Sequence, residues 1–282
     1  MKRGLVFFIT SVLLAAGGGV GFDEARKLYH LSEFDKSLQV LKALPEKDAA
    51  AWALIGQNYY GQAEYKKATE ALEKAVALDP SNAEMVLWLG RAYGRRAETS
   101  GPLTAPGYAS KTRQYFERAA QLSPNNLEAL SDLFEYYLDA PGFLGGGLDK
   151  AGRIAEQMSR LNASEGYWAQ AKLAEKRKEY HSAEDHLRQA IAAAPAQVGR
   201  LIDLAKLFTR QGKNKEADQS LAQAEQMAPN SPRLIYARAE IYVKSKRNLD
   251  VARQLLKQYM GMSLTPDDPS RADAEKLLKQ TL

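Results

Sequence analysis

The densest group of side chains able to take part in chemistry is His181, Glu184, Asp185 and His186. Two imidazoles and two carboxylates in a short helical stretch are the donor types of a zinc centre. A helical zinc pair, however, needs histidines four positions apart, which places both on one face, and a spacing of five turns them about 140° apart. The inverted H-x-x-E-H arrangement fails as well, because Asp185 separates Glu184 from His186. These residues read as the charged surface of a helix. Residues 142–150 (GFLGGGLDK) have the glycines of a phosphate-binding loop, but that loop needs a preceding strand and Lys-Ser or Lys-Thr directly after its last glycine. Here Leu148 and Asp149 intervene and a helical pattern precedes. The 282 residues contain no cysteine, which excludes thiol nucleophiles, thiolate zinc sites, iron–sulfur clusters and disulfides. No serine elbow or dinucleotide fingerprint occurs, and the carboxylates are dispersed rather than paired for general acid and base work. The expectation is no catalytic residue, no metal site and no cofactor.

With 45% hydrophobic and 26% charged residues the chain is a folded one, long enough for one large domain or two smaller ones. Its formal charge of +5 includes Lys2 and Arg3, and setting these aside leaves a dispersed +3, too weak for a phosphate-binding face. Nucleic acid is therefore not an expected partner. Lys2 and Arg3 precede an uncharged run over 5–16 (LVFFITSVLLAA) and the small residues Gly17, Gly18, Gly19, Val20 and Gly21. Charged start, apolar middle and small-residue exit make residues 1–21 a secretory leader, cut after Gly19 or Gly21. No cysteine follows to carry a lipid. The second reading is a retained anchor, since the uncharged run to Phe22 reaches the lower edge of the ~20 residues that span a bilayer; the consecutive glycines count against it. The protein is thus expected to be exported, periplasmic or secreted, with membrane contact only if this segment is retained.

The elements that position everything else are legible as a repeat. From Ala49 the chain reads Trp52, Ile55, Gly56, Tyr59, then Tyr65, Ala68, Leu72, Ala75 and Pro80. Pro195 and Pro229 lie 34 residues apart and close similar series: Tyr180, Ala183, Leu187 and Ala190 before the first, and Leu204, Ala205, Phe208, Gly212, Ala217, Leu221 and Ala224 before the second. Pro80 and Pro124 are 44 apart, so the unit with Leu89, Gly90, Tyr93, Phe116 and Ala119 carries ten extra residues. Further units show Leu130, Leu133, Phe134, Tyr137 and Ala151, and then Ile235, Ala239, Tyr242, Ala252, Leu256 and Tyr259. A degenerate unit with Leu28, Phe34, Ser37 and Leu41 comes first. Small residues at Gly56, Gly90 and Ala205 let two helices approach, while Tyr59, Tyr93 and Phe208 fill the space beside them.

This pattern resembles the tetratricopeptide repeat, W-x2-L-G-x2-Y, then A-x3-F, then P, over 34 residues. The resemblance covers 22–262 as seven helical hairpins: 22–48 (degenerate), 49–82, 83–126, 127–163, 164–197, 198–231 and 232–262. Residues 263–282 form a linker and a capping helix, whose start is expected at Asp267-Asp268-Pro269 and whose apolar stripe is Ala274, Leu277, Leu278 and Thr281. The fold class is all-α, and the resemblance implies a right-handed superhelical solenoid whose first helices line a concave groove for a protein or peptide. The lysine and asparagine clamp by which some relatives hold a C-terminal carboxylate is missing, since Ala53 and Gln57 occupy its places in the 49–82 unit.

Side chains half a turn from the packing face should line that groove. They are Trp88, Arg91 and Arg95, then Ser131, Asp132 and Glu135, then Trp168, Lys172, Glu175 and Lys176, then Ile202, Lys206 and Arg210, then Tyr236, Glu240 and Lys244. The recurring cations with aromatic platforms at Trp88, Trp168 and Tyr236 predict a mixed groove suited to an extended peptide with acidic and apolar groups; the alternative is a set of solvated helix faces. Two expanded turns, 99–109 and 139–149, should emerge on one edge, where Tyr108, Phe143 and Leu144 either pack on one another, meet a partner or form a self-packed lid. The expected function is a non-enzymatic scaffold or adaptor in the cell envelope. The alternative is a membrane-anchored accessory subunit of an envelope enzyme or assembly complex.

Overall fold

An apolar stripe on a short helix is stable only when another helix covers it, and this chain supplies the cover locally, hairpin by hairpin. The computed structural model describes residues 17–281, all of whose regular elements are helical. Most of the 1–21 leader lies outside the described residues. Seven hairpins follow one another: α1 (Gly17–His30) with α2 (Phe34–Ala43), α3 (Ala49–Gly61) with α4 (Tyr65–Leu78), α5 (Ala83–Thr99) with α6 (Ala105–Leu122), α7 (Leu127–Asp139) with α8 (Leu148–Leu161), α9 (Ala163–Lys176) with α10 (Tyr180–Ala193), α11 (Val198–Arg210) with α12 (Asn214–Met227), and α13 (Pro232–Lys244) with α14 (Leu249–Met260). A last helix, α15 (Arg271–Lys279), packs on α14 and α13. Each second helix also packs on the first helix of the next unit, which makes the array a helical solenoid.

The core is spread along this stack rather than gathered at one centre. Phe134, Leu187, Leu204 and Leu221 belong to one stretch of it, Leu72, Leu89, Tyr93 and Phe116 to another, and Leu41, Leu54 and Ile55 to a third near the N-terminal end. Close approach within a hairpin depends on small residues: a Cβ added to Gly56 would lie 2.5 Å from Leu72 Cγ. At the far end Ala274 and Leu277 of α15 cover Val243, Leu256 and Tyr259.

Five hairpins turn in the same way. A residue with positive φ follows the first helix: Ser32 (54°), Ala63 (59°), Lys178 (65°), Gly212 (72°) and Lys246 (52°). The next backbone N–H then donates back to a carbonyl five residues earlier, for example Glu64 to Tyr59 at 2.9 Å and Lys213 to Phe208 at 2.9 Å. This is the Schellman closure of a helix end. The two expanded units depart from it. Most of the expected 99–109 turn is helix, because α5 runs to Thr99 and α6 starts at Ala105, so Tyr108 lies on a helix and not in a loop. The second turn keeps its length and folds as a single 3₁₀ turn, Gly142–Leu144, tied down by Tyr136 donating to the Leu144 carbonyl at 2.9 Å and by Lys150 donating to the Gly145 carbonyl at 2.8 Å.

Two details differ from expectation. The triple glycine does not interrupt helix α1, which starts at Gly17. Helix α15 is capped by Ser270, whose side chain accepts from the Asp273 N–H, and not by Asp267 or Asp268. Asp268 instead closes a turn by accepting from the Thr265 N–H at 2.8 Å and its hydroxyl at 2.9 Å, which puts Pro269 ahead of the cap.

Candidate binding groove

First helices of neighbouring units lie side by side, and their exposed faces share one wall. Two cavities open along it. The larger, about 1190 Å³, lies between the N-terminal hairpins and the C-terminal units, with Phe34, Tyr60 and Tyr65 on one side and Lys206, Arg233 and Tyr236 on the other. The smaller, about 420 Å³, runs along α5 and α7 between Tyr60, Arg91, Phe116, Glu135 and Tyr136. Burial pushes the phenols of Tyr60 and Tyr236 up to about 12, so both remain protonated hydrogen-bond donors near neutral pH.

Of the expected groove cations, Arg91, Arg95 and Lys206 line these cavities, and most of the set is held by carboxylates of the adjacent unit. Arg91 of α5 pairs with Asp132 and, at 2.9 Å, with Glu128, both on α7. Lys176 of α9 reaches Asp139 of α7 at 2.8 Å, Arg210 of α11 grips Glu175 of α9 with two bonds, and Lys206 of α11 reaches Glu240 of α13 at 2.7 Å. Lys244 joins the same Glu240 at 2.6 Å. Burial alone would disfavour the Glu240 anion, yet Lys206 and Lys244 outweigh it and hold the carboxyl below its ordinary value. Arg200, which the sequence pattern did not single out, is the most enclosed member of this ladder: it is 12% exposed, pairs with Glu165 at 2.5 Å and Asp203 at 3.3 Å, and lies 5.0 Å from the Trp168 ring centre. Its signal in the sequence is Glu165 one repeat earlier. Lys172 forms no ion pair among the described residues and lies 5.8 Å from the Trp168 ring centre.

Arg95 is arranged differently. Its Nε and Nη2 donate to the Tyr65 hydroxyl at 3.0 and 2.8 Å, its Nη1 to Glu98 at 2.8 Å, and Nη2 also to Asp273 at 2.8 Å, from the far end of the chain. Glu135 is exposed on the same wall.

The aromatic platforms divide. Trp88 is half-buried, edge-on to Tyr60 with ring centres 5.4 Å apart, and Tyr236 is half-buried against Tyr259. Trp168 is corrected: at 5% exposure it belongs to the core, tilted on Phe134 at 5.6 Å, because α9 turns that position toward α7. On the loop edge, Tyr108 stacks on Tyr93 at 6.0 Å beneath the Arg96 guanidinium, Leu144 is half-buried, and Phe143 is 82% exposed. Leu103, in the first turn, is 98% exposed and was not singled out by pattern. The histidine cluster is surface. His181 is 92% exposed and 3.8 Å from Asp185, and His186 contacts Gln189 at 3.2 Å and stacks on Tyr167. Among the described residues no group of three or more His, Asp or Glu is placed to hold a metal ion, and no helix is long and apolar enough to cross a membrane.

A family model for the tetratricopeptide repeat matches residues 49–82. No curated protein matches the chain. Among solved structures, a tetratricopeptide repeat protein from Parabacteroides merdae is 16% identical with a TM-score of 0.61, over 95% of this chain and 99% of that one. A thermophilic protein of the same kind from Thermus thermophilus is 18% identical with a TM-score of 0.55, over 68% and 99%. A chain of the APC/C hetero-tetramer Cut9–Hcn1 is 16% identical with a TM-score of 0.52, and this chain spans 48% of it. At these identities the likeness is one of fold. Residues 49–82 thus match the tetratricopeptide repeat in sequence, and the described hairpins stack in the fold of tetratricopeptide repeat proteins.

Proposed function

We propose that the protein is a scaffold that holds an extended protein or peptide segment in its concave groove and performs no chemistry on it. The observation that carries this reading is the cavity of about 1190 Å³, bounded by tyrosines, arginines and carboxylates contributed from both ends of the array. Concave sites with a few convergent polar groups on aromatic walls are where ligands lose most of their water-exposed surface. The presence of the same stacking in a chain of the Cut9–Hcn1 hetero-tetramer supports a role in assembly. The charge ladder gives the wall alternating sign, so the partner is read as a segment carrying both charges and apolar side chains.

The leader over 1–21 is the basis for placing the protein in the cell envelope, outside the cytoplasm. The second reading, a membrane-anchored accessory subunit, is favoured by one observation: α1 begins at Gly17, inside the stretch expected to be the leader's exit, and runs unbroken to His30. The N-terminal sequence of the protein from its host separates the two, since an intact Met1 on membrane-associated protein overturns cleavage.

The groove itself is tested with photo-crosslinking amino acids. Placed at Gln39 or Arg233, which line the cavity, they are expected to give discrete adducts in the host; placed at Glu156 or Lys215, exposed on second helices, they are not. The same adducts from all four positions would overturn the concave assignment.

A further inference from the structure

Residues 263–273 do more than connect α14 to α15. Leu264 is 5% exposed in the cluster beneath α13 and α14. Tyr259 donates its hydroxyl to the Pro269 carbonyl, and the Arg271 side chain donates to the carbonyls of Met260 at 3.2 Å and Met262 at 2.9 Å. These bonds tie the segment to the C-terminal units. Its other side lines the large cavity, facing Phe34, Asp35 and Gln39 of α2. At its end Asp273 meets Arg95 of α5 at 2.8 Å. The two residues are 178 positions apart, whereas no other side-chain hydrogen bond among the described residues spans more than 41. Among the described residues, this ion pair is therefore the one long-range side-chain tie between the C-terminal segment and the third hairpin.

Arg95 is held for a carboxylate independently of Asp273, because Tyr65 and Glu98 fix its guanidinium through Nε, Nη1 and Nη2. Pre-positioning of this kind reduces the ordering cost of whichever carboxylate arrives. The pair is also open to competition: the side chains are 28% and 35% exposed, and ion pairs in such a setting are weak and screened by salt.

We propose that residues 263–273 form a gate across the concave groove, latched by Arg95 and Asp273, and that a partner opens it by placing an aspartate or glutamate of its own on Arg95. The partner step rests on the scaffold reading; the latch does not.

The absence of native cysteine allows two spin labels to be attached at Gln39→Cys and Ala272→Cys, both exposed and both lining the cavity. The full chain is expected to give one narrow distance distribution. D273N, or about 1 M salt, where the Debye length falls to about 3 Å, is expected to raise the long-distance population about fivefold. A distribution unchanged by both overturns the latch. The partner step is read from a photo-crosslinker at Lys42, on the cavity wall, compared in the parent, D273N and the D273N/R95Q double variant. A several-fold gain in adduct with D273N that R95Q abolishes supports it, while an unchanged yield, or a gain that survives R95Q, overturns it. If the distances shift as expected and no adduct forms in any of the three, the scaffold reading and the partner step fail together, and the latch stands.

Discussion

Glu135 stands on the concave wall in company that opposes its charge. Loss of hydration against the surrounding protein is the main cause that raises its carboxyl above the ordinary value, Lys172 acts against the rise, and Asp132, Asp139 and Asp203 add to it. A carboxyl whose affinity for protons is greater in the folded state destabilises that state when ionised, and the penalty disappears as pH falls and the native side chain takes up its proton. Glu135→Gln is therefore expected to raise the urea midpoint at pH 7 and to lose that advantage as the pH is lowered through the carboxylate range. Because the side chain is exposed, screening holds the gain below about 1 kcal/mol. A variant no more stable than the parent at pH 7, or one whose gain grows on acidification, contradicts this. Glu240 has the opposite linkage: its lowered value contributes stability that is present above the unfolded pKa and lost as pH falls through the folded one. The sequence placed Arg91, Lys206 and Arg210 on one face of their helices, but their pairing with Asp132, Glu240 and Glu175 was not legible in it. Half-turn geometry states which face a side chain occupies and is silent about which neighbour lies across from it.

Among the elements, the hairpin turns carry the least visible information. Ser32, Ala63, Lys178 and Lys246 adopt the left-handed conformation that Gly212 adopts in the equivalent place. A side chain with a Cβ meets the following carbonyl there, at a cost of roughly 1–2 kcal/mol. Ala63→Gly is accordingly expected to stabilise the protein by up to about 1 kcal/mol, after the larger unfolded-state entropy of glycine is subtracted. Gly212→Ala is expected to destabilise it, and since nothing lies within 4 Å of a Cβ at that position, the effect is conformational and not steric. Denaturant midpoints of the two variants measure both signs, and shifts of the same sign would contradict a shared turn. Glycine at 212 is a residue signal for the turn, whereas at Ser32, Ala63, Lys178 and Lys246 tertiary packing, not residue preference, enforces it. The same override explains Tyr108: glycine and proline in 99–109 signal a loop, yet packing on Tyr93 and the Arg96 contact extend α6 through that position.

At the scale of the whole molecule, stability is distributed over interfaces between neighbours, so an end left bare is the first to open. The C-terminal end is covered by α15, with Leu264 and Leu277 lying over Val243, Leu256 and Tyr259. Ending the chain after residue 262 is expected to lower the denaturation midpoint and to remove amide-exchange protection first in α13 and α14, leaving α3 to α6 protected. Uniform loss of protection along the array, or none, would contradict the nearest-neighbour picture. The capping role was readable from the stripe of Ala274 and Leu277, but the reach of Asp273 to Arg95 was not, since the two lie more than five periods apart.

The repeat of small, aromatic and apolar residues was enough by itself to determine that the chain folds as successive helical hairpins, which residues pack within each, and that a final helix closes the stack. Those are relations between residues within a period or between adjacent ones, and a helix of 3.6 residues per turn converts spacing directly into facing. Only the tertiary structure decided that several of the predicted cations are shared with acids of the next unit, that Trp168 is core, and that residues 264–273 line the same cavity as Phe34 and Gln39. These depend on the curvature that accumulates as units stack, which brings together side chains that no periodicity relates.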